Sequence, residues 1–156
     1  MVQVSEAIGS ALITSLGCTV FLLDASSPAN SDEFWARGQA ELFLADVALL
    51  TESHDLFQWI IILDGTFRID FFKGDLRPTP ARNTRRFPFV LRLPTGLLVL
   101  RSPTASVTVL RVEPGLYEGA LEWDYALESR HSNIESVDEY PSDEGPDGVV
   151  RLKRIA

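Results

Sequence analysis

Apolar and polar residues alternate with a period of two along much of this chain, as expected for half-buried β-strands. The clearest run is Arg86–Leu93, in which Phe and Leu alternate with Arg, Pro and Val. A second run is Phe67–Phe71, where the apolar positions alternate with Arg68 and Asp70, and Phe72 then breaks the pattern. Each run predicts a strand with one face on a core and the other face in water.

Turn-forming residues separate these runs from their neighbours. Asp64-Gly65 follows the continuous apolar run Trp59–Leu63, and this dipeptide favours the tight turn of a β-hairpin. Further turns at Thr95-Gly96, Ser102-Pro103 and Pro114-Gly115 delimit the predicted strands Leu97–Arg101, Val107–Val112 and Leu116–Tyr125. Short strands with a turn between each pair predict an all-β fold, an antiparallel β-sandwich of about eight or nine strands.

The two ends of the chain add fewer elements to this prediction. Cys18–Asp24 is rich in β-branched and aromatic residues and predicts a strand, and Gly148–Ile155 predicts a closing one. One short helix is expected near residues 32–38, because Ser31 can cap it and Gly38 can end it. The run from residue 40 to 55 fits either a helical stripe or two strand pieces bent near Asp46, and we prefer the strands.

Composition narrows the class of protein. The 156 residues, 46% of them apolar, predict a single folded domain over residues 1–156, with the acidic, polar stretch 128–147 as a mobile surface loop. The one cysteine, Cys18, excludes an internal disulfide. The N-terminus lacks the basic residues of a signal peptide, and no run is long enough for a transmembrane helix. We therefore expect a cytoplasmic protein.

The chain is acidic overall, and its charged residues are unevenly distributed along the sequence. The formal net charge is −8 and the pI is about 4.7, which argues against nucleic acid as a direct ligand. Residues 68–111 nevertheless hold nine bases and two acids, whereas residues 113–147 hold eleven acids and one base. Such asymmetry indicates either a charged interaction surface or two segments that neutralise each other in the fold. The basic stretch 73–86 contains no aromatic residues for base stacking, so a solvated loop is favoured there.

Catalytic motifs are absent from the sequence, and we predict neither an enzyme nor a cofactor. No nucleophile elbow, metalloprotease motif or phosphate-binding glycine loop occurs. His54 and His131 lie in polar stretches without a second ligand at metal-binding spacing. The acids from Asp138 to Asp147 do not follow the spacing of a helix–loop–helix calcium site and are interrupted by prolines, so no metal is expected.

The predicted strand Leu116–Tyr125 carries the most ordered row of acids. Alternation places its aromatic residues and Leu121 on one face and Glu118, Glu122 and Asp124 on the other. Carboxylates two residues apart in a strand are about 7 Å apart, close to the spacing of successive phosphates in nucleic acid. Such a row could dock on the basic groove of a nuclease. The alternative is the solvent-facing side of an edge strand, where charges prevent aggregation.

The order of these features resembles the competence protein J family of nuclease inhibitors and related immunity-like inhibitors. The matching elements lie between Thr19 and Tyr125, and they read TVFLLD, FWARGQAELFLADVALLT, RFPFVLRLPTGLLVLRS and LRVEPGLYEGALEW. The basic loop Lys73–Arg86 and the acidic segment after Glu128 depart from the family. The resemblance implies a sandwich-like, non-catalytic protein that binds a nuclease and blocks its active site.

A protein partner, first of all a basic nuclease, is therefore expected, with neither direct nucleic-acid nor membrane binding. The alternative is a non-inhibitory module with a structural role, or a β module that assembles with itself as a homo-oligomer. The predicted partner-binding residues are acids of the strand and of the following segment: Glu118, Glu122, Asp124, Glu128, Asp138, Glu139, Asp143 and Glu144.

Overall fold

The computed structural model describes residues 6–16, 19–28, 30, 43–45, 48–50, 54–60, 64–77, 85–101, 107–123 and 146–156. In these ranges the regular structure is entirely β, which confirms the all-β prediction. The strands are β1 Glu6–Leu16, β2 Thr19–Asp24, β3 Phe43–Ala45, β4 Ala48–Leu50, β5 Leu56–Ile60, β6 Asp64–Lys73, β7 Arg85–Leu93, β8 Leu97–Arg101, β9 Val107–Arg111, β10 Gly115–Trp123 and β11 Gly148–Arg154. The predicted helix at 32–38 lies outside the described residues.

These strands form two sheets that pack as a β-sandwich. The first sheet has the order β1-β6-β11-β10-β7 and the second has the order β3-β4-β5-β2-β8-β9. All pairs are antiparallel except β11 with β6. The closing strand β11 was predicted, and it lies in the middle of the first sheet. The preferred interpretation of residues 40–55 as strand pieces is also confirmed, since β3 and β4 pair with each other.

The core lies between the two sheets and follows the predicted alternation. On β7 the side chains of Phe87, Phe89, Leu91 and Leu93 point inward and are buried, as do Phe67, Ile69 and Phe71 on β6. Aromatic rings join the sheets, with ring centroids 4.5 Å apart between Phe57 and Phe89 and 6.1 Å apart between Trp59 and Trp123. Fully burying each such side chain is worth roughly 1.5–3 kcal/mol, so this interface supplies most of the stabilisation.

The predicted hairpin at Asp64-Gly65 is wrong. β5 belongs to the second sheet and β6 to the first, so the chain crosses the sandwich between them instead of folding back. Asp64 and Gly65 are the first residues of β6 and pair with Leu16 and Ser15 of β1.

The turn at Thr95-Gly96 is also a crossing between sheets, from β7 to β8. The amide of Gly96 donates to the Leu93 carbonyl at 3.1 Å, and Gly96 adopts a φ of +74°. A Cβ atom at this position would lie 2.3 Å from the Val112 carbonyl oxygen. Glycine is therefore required here for both conformation and space.

The buried carboxylate of Asp24 holds this crossing against the end of β2. It accepts hydrogen bonds from the amide and hydroxyl of Ser26, at 2.9 and 2.5 Å, and from the amide and hydroxyl of Thr95, at 3.1 and 2.8 Å. Burial alone would raise the pKa of Asp24, but the bonds from Ser26 and Thr95 together lower it below its ordinary value of 3.8. The ionised form is thus the one that stabilises the turn.

The strand β1 was not predicted from the sequence. Its core-facing positions include Gly9 and Ala11, which pair with Phe71 and Ile69 of β6. Small residues opposite large ones fill the core but give a weak hydrophobic pattern. A β-bulge between Ala7 and Gly9 further breaks the period of two.

Candidate binding surface

The predicted acidic strand is β10, and it is an interior strand of the first sheet. It pairs with β7 on one side and with β11 on the other. On its outward face, Glu122 lies opposite Arg86 and Val149, while Glu118 lies opposite Val90 and Lys153. The alternative of an edge strand is therefore wrong, and each acid has cross-strand neighbours on both sides.

Glu122 does not present its charge to solvent, so the prediction of an exposed acidic row is wrong at this residue. Its side chain is 1% exposed, and its carboxylate accepts a hydrogen bond from Nε of Arg151 at 2.7 Å. A nitrogen of Arg86 lies 3.7 Å from the same oxygen. The Arg86 guanidinium also donates to the carbonyl of Leu76 in the segment that follows β6. These contacts hold Glu122 in a buried ion-pair cluster.

The physical reason for this burial is the distribution of bases on the neighbouring strands. A buried carboxylate is tolerated only when it is paired and hydrogen-bonded, and the two arginines on the flanking strands provide both. Arg151 also lies over the Phe72 ring, 5.4 Å from its centroid, which explains why Phe72 breaks the alternation of β6. Sequence reasoning missed Arg86 and Arg151. The only signal for them was the basic excess in the segments that provide β7 and β11.

A second ion pair lies on β6 and accepts a hydrogen bond from β1. Nε of Arg68 is 2.9 Å from the carboxylate of Asp70, and the Ser10 hydroxyl donates to the same carboxylate at 2.6 Å. Asp70 and Glu122 thus both find partners on the outer face of the first sheet. For this face, the interpretation in which the basic and acidic segments neutralise each other holds.

Glu118 is the predicted site residue that the structure leaves exposed. It lies on the same face as Glu122, next to Lys153 and Val90. Its role in binding a partner stays a prediction. The other predicted site residues lie outside the described part of the chain: Asp124, Glu128, Asp138, Glu139, Asp143 and Glu144.

The acidic segment between β10 and β11 begins and ends at the same end of these two neighbouring interior strands. Trp123, the last residue of β10, pairs directly with Gly148, the first residue of β11. A Cβ atom on Gly148 would lie 2.5 Å from the Trp123 ring, so glycine permits this close approach. Asp147 holds the returning chain, because its amide donates to the Arg68 carbonyl at 2.9 Å and its carboxylate accepts from the Arg68 amide at 2.8 Å. Residues 124–146 therefore leave and re-enter the sheet at adjacent points.

The negative charge of the protein comes from outside the described framework. The described residues hold ten acids and eleven bases, whereas the rest of the chain holds twelve acids and three bases. Residues 124–145 alone contribute seven of those acids and one base. The net charge that could attract a basic partner is therefore contributed by residues outside the described framework, and by residues 124–145 in particular.

The described part of the basic stretch 73–86 engages its charges locally. Nε of Arg77 lies 2.6 Å from the carboxylate of Asp75. The pKa of Asp75 is lowered, first by a hydrogen bond from the Arg77 amide and then by one from its side chain. Lys73 lies 3.6 Å from a carboxylate oxygen of Glu6, and Arg86 belongs to the Glu122 cluster, so at least three bases of the stretch are paired within the chain. This observation favours the solvated-loop interpretation of the stretch over a nucleic-acid patch.

His54 has a positional role in the fold. It adopts a φ of +61°, and its carbonyl accepts a hydrogen bond from the Arg92 amide at 2.8 Å. This bond connects the start of β5 in the second sheet to β7 at the edge of the first. Among the described residues no three His, Cys, Asp or Glu side chains group as metal ligands would. The same residues include no helix that is long and apolar enough to cross a membrane.

Comparison with known proteins shows a shared fold. No protein-family model matches the sequence, and neither does any curated protein. One similar solved structure is described as "Crocagin biosynthetic gene J"; it is 27% identical, covers 98% of this chain and 99% of its own, and has a TM-score of 0.73. Another is ComJ from Bacillus subtilis, inhibitor of the DNA-degrading activity of NucA, at 8% identity, 97% and 99% coverage and a TM-score of 0.63. The chain thus has a ComJ-like fold over nearly its whole length.

Proposed function

We propose that this chain is a non-catalytic binding protein that inhibits a nuclease by covering its basic active-site groove. The observation that carries the proposal is the ComJ-like fold over 97% of the chain, since ComJ is described as the inhibitor of a DNA-degrading activity. The acidic charge of the chain supports it, because a nuclease groove is built to attract polyanions.

The acids that would meet such a groove are those outside the paired framework. Glu122 is excluded from this role, because its carboxylate is buried between Arg86 and Arg151. The proposed contact residues are the exposed acid of β10 and the acids of the following segment: Glu118, Asp124, Glu128, Asp138, Glu139, Asp143 and Glu144. The segment that carries most of these acids is joined to the first sheet through the paired residues Trp123 and Gly148.

Capture of the partner from the source cell tests the proposal first. The tagged chain is incubated with cell extract at about 50 mM and about 500 mM salt, and the bound proteins are identified. We expect a basic protein with DNA-degrading activity that is retained at low salt and largely lost at high salt, because salt screens exposed charges. Retention of partners that are all acidic or without nuclease activity would contradict it.

Charge reversal then tests the proposed contact residues. A double variant that carries both Asp138→Lys and Glu139→Lys should bind the captured nuclease at least about 100-fold more weakly than the wild type. The control carries Glu6→Lys with Glu113→Lys, because both side chains are exposed, at 71% and 74%, and lie outside the segment. The two variants have the same net charge. Equal affinities for the two variants would exclude a localised contact at the segment.

A second function is supported by the 27% identity to the crocagin biosynthesis protein. In this alternative the chain is a non-inhibitory module that binds a component of a biosynthetic system. The same capture experiment distinguishes the two, because the alternative predicts a biosynthetic enzyme or its substrate in place of a nuclease. It also predicts that the captured protein keeps its activity in the complex.

A further inference from the structure

Three buried residues fix the chain where the acidic segment joins the first sheet, and we call Trp123, Asp147 and Gly148 the segment anchor. Trp123 pairs with Gly148 across β10 and β11. The Trp123 ring lies among rings of both sheets, with its centroid 6.1 Å from that of Trp59 and 5.6 Å from that of Phe67. Because its side chains are buried, the segment anchor can influence a partner only through the residues that it holds.

Asp147 attaches the returning chain to β6 just before β11 begins. Its amide donates to the Arg68 carbonyl and its carboxylate accepts from the Arg68 amide, so both hydrogen bonds go to one residue. Gly148, the next residue, pairs with Ile69 of β6 as well as with Trp123 of β10. The chain is therefore held by two strands at the point where it re-enters the sheet.

Covalent reach keeps three of the proposed contact acids close to the segment anchor. Asp124 follows Trp123 directly. Asp143 and Glu144 precede Asp147 by four and three residues. Since a chain spans at most about 3.6 Å per residue, the Cα atoms of these acids lie within about 15 Å of the segment anchor. A change in the segment anchor must therefore act on these acids first.

We propose that the segment anchor raises the affinity for the nuclease by fixing where the neighbouring acids leave the sheet. This inference rests on the proposed function, and it makes Trp123, Asp147 and Gly148 positioning residues of that binding surface. Charged groups that are held in place before binding lose less conformational freedom when the complex forms. A segment that is attached less firmly keeps its charges but loses this advantage. The segment anchor thus affects affinity independently of net charge.

Two glycine substitutions separate positioning from general stability. Gly148→Ala places a Cβ atom 2.5 Å from the Trp123 ring, so the segment anchor must shift. Gly119→Ala, the control, places a Cβ atom 2.5 Å from the Phe89 ring, on the neighbouring strand and away from the segment. Neither substitution changes the charge. We expect both to lower the unfolding temperature, whereas only Gly148→Ala should weaken binding of the captured nuclease, by about tenfold.

A second pair of variants compares two uncharged side chains at Asp147. Asp147→Asn keeps an oxygen that can accept from the Arg68 amide, whereas Asp147→Ala removes it. Because both variants lack the carboxylate charge, any direct electrostatic contribution of Asp147 is lost equally in both. We expect Asp147→Ala to bind the captured nuclease about tenfold more weakly than Asp147→Asn does. This comparison does not depend on the folding of Gly148→Ala.

Isothermal titration calorimetry with the captured nuclease measures the affinities, and thermal unfolding establishes that each variant is folded. Losses confined to Gly148→Ala and Asp147→Ala support the role of the segment anchor. Equal affinities within either pair of variants would overturn that role and leave inhibition by the wild-type chain intact. A wild-type chain that captures no nuclease would instead contradict the proposed function, and this inference with it.

Discussion

Two glutamates on one face of β10 have different environments. Glu122 is buried between Arg151 and Arg86, whereas Glu118, four residues before it, is exposed beside Lys153. The alternation of the sequence assigns both to the outer face and cannot distinguish them. What separates them is the identity of the residues opposite on the neighbouring strands, which depends on register. An acidic residue in a strand thus contributes to a binding surface only where its cross-strand neighbours leave it unpaired.

Removal of Glu122 should destabilise the protein without removing a contact residue. Glu122→Ala leaves two guanidinium groups without their buried carboxylate, so we expect the free energy of unfolding to fall by about 3 kcal/mol. Glu118→Ala, on the same face of the same strand, should change it by less than about 0.5 kcal/mol. Urea denaturation of both variants measures the difference. Equal effects would contradict the buried ion-pair cluster.

The Asp24 carboxylate should make stability depend on acid pH. Its folded-state pKa lies below the ordinary value of 3.8, so its contribution is complete above that value and is lost as the pH falls through the folded-state pKa. Asp24→Asn should therefore be less stable than the wild type by about 2 kcal/mol at pH 7, because hydrogen bonds to a charged group are lost. Below pH 4 that gap should narrow. A gap that stays constant from pH 7 to pH 2 would contradict this role of Asp24.

At the scale of the element, the sequence predicts strands better than it predicts their partners. Alternation identified β6 and β7, and the inward rows Phe67–Phe71 and Phe87–Leu93 are as expected. The same reasoning failed at Asp64-Gly65, because a turn dipeptide can also begin a strand in the opposite sheet. It failed at β1 because Gly9 and Ala11, which lie opposite Phe71 and Ile69, are small and give a weak hydrophobic pattern. Local sequence records which face is buried, whereas sheet membership depends on contacts far along the chain.

Two core-facing glycines of the first sheet should respond differently to alanine. A Cβ on Gly119 would lie 2.5 Å from the Phe89 ring and 3.1 Å from the Arg151 carbonyl, so Gly119→Ala should cost about 1–2 kcal/mol. On Gly9 the nearest atom is the end of the flexible Leu110 side chain at 3.0 Å. Gly9→Ala should therefore stay within about 0.5 kcal/mol of the wild type. Thermal unfolding compares the two variants, and the reverse order would contradict the described packing of β10 on β7.

At the scale of the whole molecule, a framework with nearly balanced charge carries an acidic excess outside it. The excess could be read from the sequence, since residues 113–147 contain eleven acids and one base. The pairing of Glu122 could not be read from the sequence, because Arg86 and Arg151 approach its carboxylate only after β7, β10 and β11 have assembled. The separation gives each part its own role. The paired charges belong to the first sheet, and we propose acids outside the framework as the contacts of the partner.

The most direct test of the central claim is a DNA-degradation assay of the captured nuclease, titrated with this chain at about 100 mM salt. We predict stoichiometric loss of DNA cleavage by the wild-type chain and by the variant with Glu6→Lys and Glu113→Lys. The variant with Asp138→Lys and Glu139→Lys should leave the nuclease active at the same concentrations. A nuclease that is bound by the wild-type chain and still degrades DNA at its full rate would contradict the proposed inhibition.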